Sequence, residues 1–229
     1  MCTCFIQNRK KTIVGWNLDL LDMEYKVEES SDGVFIYCLD STEGWMPLFG
    51  VNKRGDFVGM PTCWPYDNAS DPKENDENII KLTIDLLLLN KTFAEVKQIT
   101  ESKRISSIPG LTFMSFLTNK NGDLLEIVPG VGNLYYEKPD FMVLTNFSPF
   151  KMNKEMHPWM GLDRYNKAND ILSNAKCDFD VTDAFNLLSD VSQTVCPTVV
   201  SMVYDATDNI VYWVVNRCYN DIKKRKLSF

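Results

Sequence analysis

The order in which the hydrophobic period changes along the chain restricts the fold more than any other feature. Residues 3–7, 12–18, 34–39, 46–51 and 56–60 are short apolar runs, separated by polar turns such as Asn8-Arg-Lys-Lys11 and Asn52-Lys-Arg-Gly55, and they predict strands. A polar loop rich in Pro, Asp and Asn follows at 61–78. Residues 79–89 lack strand alternation and are too long for a simple strand, so they predict a helix. Thr92-Phe-Ala-Glu95 then has the spacing of a capping box, which starts a second helix. Strands return at 111–117, 123–128, 134–136 and 141–145, the first two joined by the hairpin signal Asn119-Lys-Asn-Gly122. Residues 164–176 carry Tyr165, Ala168, Ile171, Leu172 and Ala175 at helical spacing. Val181, Phe185, Leu188 and Val191 repeat that spacing behind Asp180, a plausible N-cap. Strands at 198–204 and 209–215 close the chain.

Strands, helices, strands, helices, strands in blocks is not the alternation of a parallel α/β fold. It predicts an α+β domain, a four-layer αββα sandwich of antiparallel sheets. That arrangement gives each strand block a partner sheet and each helix block a face to cover. At 229 residues, one domain over 1–229 is the expectation.

Composition removes several function classes. Thirteen Phe, nine Tyr and five Trp supply enough apolar surface for a core, which excludes disorder. The net charge of −7 argues against nucleic acid as a partner. No apolar run approaches the ~18 residues of a membrane span. The N-terminal order, apolar residues first and Arg9-Lys-Lys11 after, is the reverse of a secretion signal, so a cytoplasmic protein is expected. The seven cysteines show no repeated spacing and are expected to be mostly free thiols. His157 is the single histidine, in the loop read from Met156-His157-Pro158, and Cys-x-x-Cys pairs are absent, so no metal or other cofactor is expected. The basic stretch Lys223-Lys-Arg-Lys226 reads as a solvated end.

The residue richest in chemistry is Cys2. Removal of Met1 ahead of this small residue leaves a cysteine with a thiol and a free α-amine on adjacent carbons. The amine, with an ordinary pKa of about 7.7–8.0, is competent to take the proton of a thiol whose pKa is about 8.5. One residue then supplies nucleophile and base. The hairpin formed by the first two strands returns Asp19 close to Cys2, where a carboxylate holds the amine.

These residues resemble a known family, the choloylglycine hydrolase and penicillin V acylase-like group of N-terminal nucleophile (Ntn) hydrolases. Met-Cys-Thr at 1–3 matches the family's start, and Gly15-Trp-Asn-Leu-Asp19 its Gly-Arg-Asn-x-Asp element. Phe49-Gly-Val-Asn-Lys-Arg-Gly55 looks like its Gly-x-Asn-x-x-Gly turn, and Val143-Leu-Thr-Asn146-Phe-Ser-Pro149 its Leu-Thr-Asn followed by Pro. Asp163-Arg164-Tyr165 sits where the family begins a helix. The resemblance runs in order over nearly the whole chain. It implies an amidase acting on linear, non-peptide C–N bonds of a small N-acyl amide through an acyl-thioester. Cys2 would be nucleophile and base, Asp19 the partner of its amine, Asn146 an oxyanion donor and Arg164 the cation beside the thiol.

Two departures stand out. Trp16 replaces the family's arginine, leaving Arg164 to supply the guanidinium. Met60-Pro-Thr62 replaces its Gly-Leu-Asn, so Thr62 would contribute only a backbone amide to the oxyanion hole. The chain is shorter than bile salt hydrolases, which points to a simpler acyl group, with Trp16, Phe57 and Trp64 expected to line its pocket and Tyr66, Phe147 and Phe150 near its mouth. An acyltransferase of the same family and a non-catalytic binder of a small acylated ligand stay open beside the hydrolase. Family members often form dimers or tetramers, so a homo-oligomer is also an open expectation.

Overall fold

A computed structural model describes residues 2–66, 68–151 and 161–228. The first strand block is β1 (Cys2–Asn8), β2 (Thr12–Asp19), β3 (Tyr25–Ser30), β4 (Gly33–Asp40), β5 (Gly44–Asn52), β6 (Phe57–Gly59) and β7 (Thr62–Cys63). After β8 (Glu77–Asn78) come α1 (Ile79–Leu87) and α2 (Phe93–Ser102). The second strand block is β9 (Ile105–Ser106), β10 (Thr112–Phe113), β11 (Ser115–Thr118), β12 (Leu124–Val128), β13 (Gly132–Tyr136) and β14 (Phe141–Leu144). The chain ends with α3 (Leu162–Ser173), α4 (Val181–Asp190), β15 (Thr198–Asp205), β16 (Ile210–Val215) and β17 (Lys223–Lys226).

The strands form a six-stranded sheet, β14-β1-β2-β15-β16-β17, and a seven-stranded sheet, β13-β12-β11-β6-β5-β4-β3. Every pairing in both is antiparallel. α3 and α4 cover the outer face of the six-stranded sheet, where Ala168, Leu172, Phe185 and Leu188 meet Phe5, Ile13, Val203 and Val214. α1 packs on β5 and β6, and α2 on β13, on the outside of the other sheet. The inner faces meet in one core, with Trp16 against Phe49 at 4.6 Å between ring centroids and against Phe57 edge-on at 6.5 Å. The four-layer αββα sandwich is therefore present. Among the described residues no helix is long and apolar enough to cross a membrane.

Local chemistry sets the helix starts. Asn78 caps α1 by accepting from the amides of Ile80 and Lys81. Thr92 and Glu95 form the expected capping box, and Asp180 forms one with Asp183 at α4. Three expectations change. The run 111–117 is not one strand: the Met114 amide donates to the Pro61 carbonyl at 2.8 Å, which splits the run between a two-stranded pair with β7 and the large sheet. β3 was not expected. Nor is the basic tail a free end; β17 pairs with β16 as the edge strand, and Arg225 reaches Glu29 at 3.3 Å. Both β3 and β17 sit at sheet edges, where charged side chains keep an exposed ladder from recruiting another chain.

Candidate active site

The β1–β2 register pairs Cys2 with Leu18, so Asp19 lies just beyond Cys2 at the open end of the hairpin. Its backbone N–H donates to the Cys2 sulfur. β1 alternation sends Cys2, Cys4 and Ile6 into the space between the sheets, and Phe5 to the layer of α3 and α4. On the other side β14 pairs Leu144 with Cys4. Two residues further along, Asn146 falls beside Cys2. Its Oδ1 accepts from the Cys2 nitrogen at 3.0 Å and from Arg164 Nη2 at 2.7 Å.

Arg164 stands in the first turn of α3 and is buried. Nη1 donates to the Cys2 carbonyl at 2.5 Å and to Thr3 Oγ1 at 2.7 Å, and lies 3.9 Å from the Asp19 carboxylate. The guanidinium fork thus holds the first two residues of β1 and Asn146 together. Gly161, with φ of 86°, precedes the helix; a Cβ there would stand 2.6 Å from Arg164 Nη2. Only glycine both adopts this backbone and leaves room for the fork.

Asn146 Nδ2 donates to the Thr62 carbonyl at 2.7 Å and contacts Thr62 Oγ1 at 3.2 Å. Thr62 is therefore beside Asn146, and the contacts shown are to its acceptor atoms, where the sequence suggested its backbone amide. The Trp64 amide donates to the Asn146 carbonyl at 2.7 Å, which fixes Trp64 beside the same residue.

Burial pushes the Cys2 thiol above its ordinary pKa, although the Asp19 amide and Arg164 pull the other way. A thiol held in its neutral form by burial needs a base before it can attack. Burial also lifts Asp19 to about 6, against hydrogen bonds from Thr198 Oγ1 at 2.6 Å and Gln193 Nε2 and the attraction of Arg164. The sequence suggested that Asp19 grips the Cys2 nitrogen; the structure gives its carboxylate to Thr198, Gln193 and Arg164, and puts Asn146 Oδ1 on that nitrogen.

Solved structures with the same arrangement of layers settle the fold. A mutant of conjugated bile acid hydrolase from Clostridium perfringens aligns with a TM-score of 0.68 over 99% of this chain and 92% of that one, at 14% identity. Penicillin V acylase from Agrobacterium tumefaciens gives 0.62 over 93% and 83%, at 13% identity. The Caenorhabditis elegans ortholog of N-acylethanolamine-hydrolyzing acid amidase gives 0.59 over 99% and 100%, at 16% identity. This chain has the Ntn hydrolase fold. No family model and no curated protein matches its sequence. At these identities the likeness is one of fold.

Within the Ntn hydrolase fold the expected pocket residues separate. Trp16 and Phe57 are fully buried in the inter-sheet core, where Trp16 packs against both Phe57 and Phe49. Trp64 is 37% exposed beside Asn146 and is free to meet a ligand. Phe147 stacks edge-on with Tyr165 at 5.3 Å, and Tyr66 donates to Asp71. Phe150 is partly exposed, next to Gly132. The His157 loop lies outside the described residues. Sequence reasoning missed Thr3, Thr198, Gln193 and Gly161. Of these only Gly161 left a signal, a glycine directly before Leu-Asp-Arg164 at the helix start.

Proposed function

We propose that this chain is an N-terminal cysteine amidase that hydrolyses the linear C–N bond of a small N-acyl amide. The observation that carries the reading is the convergence on Cys2: its nitrogen 3.0 Å from Asn146 Oδ1, its sulfur under the Asp19 amide, and Arg164 bridging both partners. The three solved structures of like fold carry the names of a bile acid hydrolase, a penicillin V acylase and an acid amidase, all enzymes of this reaction class.

Removal of Met1 turns the Cys2 nitrogen into a free amine. That amine takes the sulfur's proton as Sγ attacks the substrate carbonyl carbon, and the carbonyl electron pair moves onto oxygen. Asn146 Nδ2 and the Thr62 backbone N–H stabilise the oxyanion, and Asp19 and Arg164 fix the charge around the ammonium. The tetrahedral intermediate reforms its carbonyl and expels the amine, which takes the proton from the Cys2 ammonium. Water, deprotonated by the same amine, attacks the thioester; the carboxylic acid leaves and Sγ regains its proton. Arg164 supplies the guanidinium that the arginine position, here Trp16, lacks.

A panel of phenoxyacetyl, fatty-acyl and bile-acyl amides assayed with wild type and Cys2→Ala tests the reading. Wild type turns over at least one of them and Cys2→Ala loses that turnover. Equal hydrolysis by both proteins removes Cys2 from the mechanism. Adding a competing amine distinguishes transfer from hydrolysis by the product formed.

A further inference from the structure

Glu126, in β12, has no assigned task in this chemistry, yet its placement is unusual. The register puts it opposite Phe116, and Phe116 opposite Gly59. Directly paired residues share a face. A Cβ on Gly59 would stand 2.9 Å from Cys4 Sγ and 3.7 Å from the Trp16 ring, both on the other sheet. Glu126 therefore points into the space between the sheets, on the same side as the face of β1 that carries Cys2 and Cys4. It is 1% exposed, and among the described residues neither carboxyl oxygen has a hydrogen-bond partner. The Trp16 indole N–H on the facing sheet is also unpartnered.

A buried carboxyl group without a partner is costly, and core acids are normally paired. Phe116 stands directly opposite Glu126 on β11 and Leu134 on β13. Tyr136 is the diagonal neighbour across β13, since Leu134 pairs with Glu126 and Leu124 with Tyr136. Glu126 also acts electrostatically on Cys4, Tyr136 and Tyr165. A carboxylate beside tyrosine rings is the chemistry that receives an ammonium, through charge and through the ring faces.

We infer that Glu126 is the specificity residue of the cleft and receives a cationic amino group at the far end of the substrate's acyl chain. This rests on the amidase reading for which half of the substrate lies inward. In that reading the acyl group stays on the Cys2 sulfur while the amine leaves, and Cys2 and Glu126 face the same inter-sheet space. Burial lifts the Glu126 carboxyl to about 8, and an ammonium arriving beside it would favour its ionised form.

The test uses a matched pair that differs only at the chain end, ω-aminohexanoyl p-nitroanilide and heptanoyl p-nitroanilide. Wild type favours the amino compound in kcat/KM by about tenfold or more, chiefly through KM, and Glu126→Gln loses that preference. Binding of ω-aminohexanoamide and heptanamide to the Cys2→Ala protein, followed by calorimetry, gives a readout that needs no turnover. A tighter amino ligand there supports the inference even if the amidase assay is silent. Equal or weaker binding of the amino ligand by the folded protein overturns it, as does a preference that survives in Glu126→Gln.

Discussion

Two groups of buried polar atoms in this molecule are treated in opposite ways. Around Cys2 the polar atoms are tied: Asn146 bridges the Cys2 nitrogen, Arg164 and Thr62, and Asp19 is held by Thr198 and Gln193. Around Glu126 they are free: neither carboxyl oxygen has a partner among the described residues. The first group is prearranged by the chain itself, as chemistry at a fixed geometry requires. The second is arranged for something the chain does not contain. The contrast separates the part of the cleft that would act on the bond from the part that would select the molecule.

Changes on the tied side should be the most severe. Asn146→Ala removes an oxyanion donor together with the acceptor of two hydrogen bonds, and kcat is expected to fall by about 10²–10³-fold. A fall of only a few-fold, with KM unchanged, breaks the assignment of Asn146 to the oxyanion. Arg164→Leu leaves Asp19 and the Cys2 carbonyl buried without their cation. Loss of one partner of a buried pair costs about 3–5 kcal/mol, so the melting temperature should drop well below that of wild type. Arg164→Lys should recover only part of it, because an ammonium cannot reproduce the two-pronged contact to Asn146 and Thr3.

The two buried acids sharpen the comparison through pH. Burial raises both: Asp19 to about 6 from 3.8, and Glu126 to about 8 from 4.5. A carboxyl group whose folded pKa is raised contributes stability that is complete below its unfolded value and is lost as pH rises through the folded value. The stability of Asp19→Asn relative to wild type should therefore climb with pH and level off near 6. For Glu126→Gln the climb should continue to about 8 and be the larger of the two. Thermal melts of the three proteins from acid to mildly alkaline pH measure this directly. Coincident curves would mean that the two sites do not differ. The smallest effect is expected for Gly161→Ala, at roughly 1–3 kcal/mol from the strained backbone, with a parallel loss of activity as Arg164 is displaced.

The chain reveals these two regions unequally. Capping residues at Thr92 and Asp180, and the turn at Asn119-Lys-Asn-Gly122, made helices and a hairpin legible because the cue and its effect are local. The core strands were legible through their apolar runs. Edge strands β3 and β17 were not, because Lys26, Glu28 and Glu29 or Lys223-Lys-Arg-Lys226 show no buried face to read. At the site, Cys2, Asp19, Asn146 and Arg164 were legible as a set, through motif order. Their wiring was not: Thr198 and Gln193 come from the far end of the chain. Glu126 was hidden for a different reason. In Leu124–Val128 it looks like an ordinary outward polar residue, and only the register with Phe116 and Gly59 turns it inward. Trp16 and Phe57 illustrate the converse, since an aromatic residue near a motif packs in the core as readily as it lines a pocket.

The central claim is that Cys2, freed of Met1, carries the acyl group. Rapid acid quenching of wild type with an N-acyl amide, followed by intact-mass and peptide mapping, examines it most directly. The account predicts a chain lacking Met1 with one acyl group, carried as a thioester on an N-terminal peptide beginning at Cys2. A chain that retains Met1, or an acyl group on any other cysteine, contradicts it.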